Sequence, residues 1–186
     1  MSSPSILYKA FRLALRDELL IFDDGTIISN PRFFYYVLNG QAFSVSHRFE
    51  GVSSGASVDL LFSNPSGSGR KVYIVMVEVV SFAQAWIDIY RGNTIMASGT
   101  ALTPLNLNLE SSNSSVADVE YGGSYGLGTL ALNTVCPGGS KIRAVGGTVE
   151  IGETVVIPEG YNILVRVTNK SASATDISIR IIWWEE

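Results

Sequence analysis

From about residue 41 onward, apolar and polar positions alternate in short runs separated by turn clusters. In "AFSVSHRF", Phe43, Val45 and His47 alternate with Ala42, Ser44, Ser46 and Arg48. The segments "SVDLLF", "KVYIVMVEVV", "AQAWIDIYRG", "NTIMAS", "LTPLNLNL", "SVADVEY", "GTLALNTV", "KIRAVGGTVEI", "ETVVI", "NILVRVTN" and "DISIRIIWW" follow it in order. In "NILVRVTN", Ile163, Val165 and Val167 share one face, and in "DISIRIIWW" so do Ile177, Ile179 and Ile181. Evenly spaced strands that are apolar on one face, joined by glycine-rich turns with no helical crossovers, make an antiparallel sandwich or barrel, and the expected fold is an all-β antiparallel β-sandwich, jelly-roll-like. The 18 glycines supply turn positions with positive φ.

The first 40 residues follow another pattern. "YKAFRLALRDELLIF" fits a helix with Tyr8, Phe11, Leu15, Leu19 and Phe22 on one stripe, and equally a strand with Phe11, Leu13 and Leu15 on one face. Asp24-Gly25 is a type I′ hairpin signal. "NPRFFYYVLNG" begins with a proline turn and places four aromatics at Phe33, Phe34, Tyr35 and Tyr36. So apolar a segment needs a cover, either the sandwich itself, a neighbouring subunit or a larger assembly. The chain therefore divides into an N-terminal arm of open conformation, 1–40, and a β-sandwich domain, 41–186.

Composition narrows the function. Of 186 residues, 46% are hydrophobic and 16% charged, below the roughly 25% charge of an average soluble domain. The core can be full, and part of the remaining surface is expected to meet a partner. A net charge of −4 gives no basic footprint for nucleic acid. The apolar run from Val72 to Ile87 is interrupted by Glu78 and Gln84 and reads as two strands, with no membrane insertion. Lys9, Arg12 and Arg16 break up the N-terminal apolar residues, so no signal-peptide pattern is present and synthesis in a cytoplasm is expected. Cys136, the single cysteine, reads as a small buried filler.

Candidate chemistry is sparse. "SNPSGSGRKV" (63–72) has the glycines and cations of a phosphate cradle, but no hydroxyl residue follows Lys71 and a strand follows in place of a helix. It is a strand-to-strand turn, with Arg70 and Lys71 as solvated charges. His47, the one histidine, has neither a second histidine nor a cysteine cluster for a metal, and no G-x-S-x-G elbow accompanies it. Asp23-Asp24-Gly25 lacks the spacing and closing glutamate of a calcium loop. No cofactor and no enzymatic activity are expected. The polar stretch "ESSNSSVADVEYGGSYGLG" is the most binding-like surface, with Tyr121 and Tyr125 available to stack on a sugar or a partner. "IIWWEE" sets Trp183 and Trp184 on opposite faces of the last strand. One tryptophan fills the core, the other needs a cover from another subunit or domain, and the two glutamates end the strand in solvent.

Over residues 41 to 186, "LLFSNPSGSGRKVYIVMVEV", "IDIYRG", "LTPLNLNLESSNSSVADV" and "GYNILVRVTNKSASATDISIRIIWWEE" resemble small β-sandwich minor virion proteins of tailed phages and related viruses. In those proteins an N-P-x-G-S-G-K turn, a "TPVNLN…SSN" segment and a closing "LLVRVTN…WWE" strand pair recur. The turn here has Arg70 before Lys71, and the N-terminal 40 residues match nothing in that pattern. The resemblance implies a non-enzymatic head-decoration, head-fibre or tail-attachment component located in the virion. It binds capsid or tail proteins and forms a homo-oligomer, with a trimer favoured. The arm and the second tryptophan would form the assembly interface: Tyr8, Phe11, Leu15, Phe33, Phe34, Tyr35, Tyr36 and Trp184. The alternative is a carbohydrate- or receptor-binding module for host attachment, acting through Tyr121 and Tyr125.

Overall fold

The computed structural model describes residues 19–21, 27–29, 32–138 and 154–186. Two antiparallel sheets face each other. The first has the order β13 (Val155–Ile157), β5 (Val72–Ser81), β15 (Thr175–Glu185), β3 (Ala42–Val52), β9 (Leu105–Asn106). The second runs β12 (Thr129–Cys136), β6 (Ala85–Arg91), β14 (Tyr161–Asn169), β4 (Ser57–Asn64), β10 (Asp118–Tyr121), β8 (Thr100–Leu102). The all-β sandwich expected from the alternation is present.

Alternation places the core. β15 contributes Ile177, Ile179, Ile181 and Trp183, all fully buried, and β14 contributes Ile163, Val165 and Val167 from the opposite sheet. Trp183 packs edge-on against Phe62 across the sheets, with ring centroids 5.0 Å apart. Cys136 lies fully buried in the same core. β5 departs from a single phase. Val72 and Ile74 face inward, but so do Val77 and Val79. A register shift opposite Ile182 and Trp183 inserts the extra residue that changes the phase.

Both outer faces are partly covered. β7 (Thr94–Ala97) and β11 (Ser124–Gly126) pair as a small flap that lays Tyr125 over Leu61 and Leu164 of the six-stranded sheet. On the five-stranded sheet, the helix α1 (Arg32–Leu38) covers Trp184 and Ala42. β1 (Leu19–Ile21) and β2 (Ile27–Ser29) pair antiparallel, Leu20 opposite Ile28. Asp24-Gly25, where a type I′ turn is expected, lies outside the described residues. Tyr8, Phe11 and Leu15 lie outside the described residues, as does "KIRAVGGTVEI".

The expectation that Glu185 ends the strand in solvent is overturned. Period two puts Glu185 on the same side as Trp183, and it is fully buried at the end of the core. Its Oε1 accepts from Ser115 Oγ at 2.6 Å and from Trp183 Nε1 at 3.1 Å. The Val116 amide donates to both oxygens, at 3.1 and 3.2 Å, and Arg70 Nη1 lies 3.5 Å from Oε2. Arg70 is therefore an ion-pair partner and not the solvated charge expected. A buried carboxylate is tolerated only when its lone pairs are filled in this way. Glu185→Ala is expected to lower unfolding free energy by about 3 kcal/mol, since it leaves several buried donors unpaired. Glu185→Gln should recover only part of this, because its amide presents N–H groups to other donors. Urea denaturation of the variants checks both.

Candidate functional site

The sequence-predicted assembly residues divide by helical geometry. On α1, Tyr36 is buried, with Phe33 and Val37 packed beside it, while Phe34 (42% exposed), Tyr35 and Leu38 (48%) face outward. Positions 33, 36 and 37 form one stripe of the helix, as 3.6-residue periodicity requires. Tyr36 stacks on Trp184 with centroids 3.8 Å apart, and Trp184 stacks on Tyr73 at 3.7 Å. Trp184 is only 4% exposed. The cover expected from another subunit or domain thus comes from the chain itself.

The polar stretch after Leu105 has a role that sequence reading missed. Its asparagines hold the C-terminal end of α1, where carbonyls lack helical partners. Asn106 Nδ2 donates to the Gly40 carbonyl at 3.0 Å and Asn108 Nδ2 to the Leu38 carbonyl at 3.0 Å. Asn113 Nδ2 lies 3.3 Å from the Gly40 carbonyl oxygen. Gly40 has φ +65°, and a Cβ there would sit 2.0 Å from Ser111 Oγ. Leu38-Asn39-Gly40 is a helix C-cap signature, the signal from which α1 was legible.

The tyrosines expected to offer a ligand loop are both engaged. Tyr125 is 6% exposed, in β11 over Leu61 and Leu164, and its hydroxyl accepts from the Gly123 amide at 3.2 Å. Tyr121 lies flat on His47, centroids 3.6 Å apart, with Phe49 edge-on to both. Residues "EYGGSYG" hide a strand, because glycines mask the alternation of β10 and β11. Tyr125 is thus a packing residue, while Tyr121 is half-buried with His47 against one face of its ring. Burial lowers the His47 pKa below its ordinary value.

The turn 63–72 joins β4 to β5 as read, with Gly67 and Gly69 at positive φ. The buried Asn64 side chain fixes it, donating to the Arg70 and Ile157 carbonyls, each at 2.9 Å. Among the described residues, no three His, Cys, Asp or Glu side chains converge as a metal site. Glu110 is exposed, while Glu120 receives the Gly99 amide at 3.1 Å. An apolar cleft of about 590 Å³ opens between the β12 and β13 sides of the sandwich, lined by Ile74, Val77, Ile89, Leu132, Val155 and Ile163. The strands that frame it are joined by residues 139–153, outside the described residues. Among the described residues, no helix is long and apolar enough to cross a membrane. In comparisons with known proteins, no family model, no curated protein and no solved structure matches this chain.

Two expectations follow. Tyr36→Ala uncovers Trp184, so stability should fall by about 3–5 kcal/mol and tryptophan emission shift to the red, read by fluorescence-monitored unfolding. Burial first, then the nearby Glu120, push Tyr125 up to about 12 against the opposing Gly123 hydrogen bond. The unfolded phenol loses its proton near 10, so the stabilisation is full below that pH and is lost as pH rises towards 12. The difference in unfolding free energy between the wild type and Tyr125→Phe, followed from pH 9 to 12, should decline across this window.

Proposed function

We propose that this chain is a non-enzymatic structural protein of a virus particle, a decoration, fibre or spike component. It attaches by its N-terminal side and displays a jelly-roll sandwich outward. The observation that carries the reading is the apolar surface around α1 that the other described residues leave open. Phe34, Tyr35 and Leu38 face away from the sandwich. Leu105 (56% exposed) lies in β9, and Leu109 (80%) stands on the following loop that clasps the end of the helix. Exposed leucines and a phenylalanine in one region are what an assembly contact buries.

Strand order supports the jelly roll. One sheet contains β3-β15-β5-β13 and the other β4-β14-β6-β12, and in chain order these eight alternate between sheets except at β6 and β12, which pair with each other. Two Greek keys folded together give this arrangement, an architecture used by viral capsid and lectin domains. The resemblance of its turn and strand texture to minor virion proteins points the same way. Fold alone does not assign a role, so the attachment surface bears the weight.

Capsid or tail proteins are the partners in this reading, together with further copies of the chain in a trimer. Phe34→Ser, Leu38→Ser and Leu109→Ser combined should leave the melting temperature within a few degrees of wild type, because all three side chains are exposed. Affinity for purified particles should fall at least about a hundredfold, each buried apolar side chain contributing about 1.5–3 kcal/mol. Full particle occupancy by this variant would remove the proposal. Light scattering of the wild-type protein tests the trimer, and a stable monomer at micromolar concentration would exclude it.

A further inference from the structure

The outer face of the six-stranded sheet carries a second surface that particle attachment does not use. Near one end, Leu61 and Leu164 lie under the flap with Tyr90 beside them. The two rows beyond are uncovered among the described residues, and register fixes what they present. Trp86 stands between Val135 of β12 and Thr168 of β14, and the next row places Asp88 between Asn133 and Arg166. These residues alternate with the buried Ile87, Val165 and Val167, so they point outward together.

Trp86 is 49% exposed, whereas Trp183 and Trp184 are 0% and 4% exposed. Its ring carries Lys170 Nζ 3.9 Å from the centroid, a cation over a flat apolar surface. The neighbouring row is a rigid polar edge. Arg166 is clamped to Asp59, Nε to Oδ1 at 2.7 Å and Nη2 to Oδ2 at 2.6 Å. The guanidinium is thus fixed with donor capacity to spare, which lowers the entropy lost on binding. Among the described residues, neither Asp88 nor Asn133 makes a side-chain hydrogen bond, so an acceptor and an amide remain for a ligand.

We propose that this shelf binds a neutral glycan built from hexopyranose units. A pyranose has an apolar face of C–H bonds that lies on an aromatic ring, and an edge of hydroxyls that both donate and accept. Trp86 supplies the ring, while Asp88, Asn133 and Arg166 supply the complementary edge. Two positions on one side of a strand are about 7 Å apart, so the ring and the polar row serve one sugar. Asp59 and Asp88 balance Arg166 and Lys170, so the shelf has no formal net charge to favour nucleic acid or an anionic membrane. With only Trp86 and Val135 apolar, it offers little of the apolar core a protein interface requires.

The position suits display. α1 covers the other sheet near the end of β15 at Trp184, whereas Trp86 follows the turn after Ser81, which pairs with Ile177 near the start of β15. The attachment side and the shelf lie on opposite sheets and towards opposite ends. The glycan proposal does not depend on the particle, and its test uses the soluble full-length chain.

The probe is a printed array of neutral oligosaccharides of glucose, galactose, mannose and N-acetylglucosamine, beside sialylated and uronic-acid glycans. The wild type should bind a neutral subset, and the bound oligosaccharide in solution should change the emission of Trp86. Trp86→Ala and Asp88→Ala should each lose at least tenfold in signal, while Tyr161→Ala, at an exposed position off the shelf, should retain it. Thermal melts accompany each variant. If Trp86→Ala fails to fold, the exposed Asn133→Ala and Asp88→Ala decide alone. No neutral glycan above background, binding confined to acidic glycans, or equal binding by the folded shelf variants would each overturn the proposal.

Discussion

The strict alternation of β15 is the constraint on which the architecture depends. This strand lies between β3 and β5, and every second side chain from Ile177 to Trp183 enters the core. The same alternation forces two difficult residues into opposite environments. Trp184 must face away from the core and be covered by something else, and Glu185 must face into it and be satisfied there. The helix α1 answers the first demand, and Ser115, Val116, Trp183 and Arg70 answer the second. An unmet demand on either side would leave a large apolar ring in water or an unsolvated charge in the core.

These two solutions are linked through one loop. The segment from Asn106 to Val116 holds the carbonyls at the end of α1 with its asparagines and then delivers Ser115 and the Val116 amide to Glu185. A stretch that looks like solvated linker is therefore a strap across the end of the sandwich. Its composition follows from that work. Asparagine offers two donors and an acceptor on a short side chain, and Gly40 alone permits the strap to pass so close.

Much of this was legible in the alternation. The inward sets of β14 and β15 and the turn at 63–72 are where the pattern puts them. The burial of Glu185 was also implicit, because a residue two beyond an inward tryptophan must face inward as well. General rules about terminal charged residues concealed it. What periodicity could not show is long-range chemistry: Ser115 and Arg70 lie 70 and 115 residues from Glu185. The glycines around Tyr125 hid β11, and the bulge in β5 shifted its phase by one position. Tyr121 and Tyr125 looked available because sequence reveals a polar neighbourhood but not the His47 ring or the Leu61–Leu164 platform beneath them. The shelf at Trp86 was hidden for a related reason: it draws on four strands that only register brings into line.

The pairing of β15 with β3 also bears on how the chain is made. Residues 42–52 leave the ribosome more than a hundred residues before the strand that pairs with most of their length. Until then, among the described strands, β3 pairs only with β9, over two residues. Closure waits for β15, so biosynthesis exposes an adhesive strand edge for many seconds at ordinary elongation rates. Neighbouring nascent chains on one message carry the same edge, which makes translation the stage most exposed to mispairing.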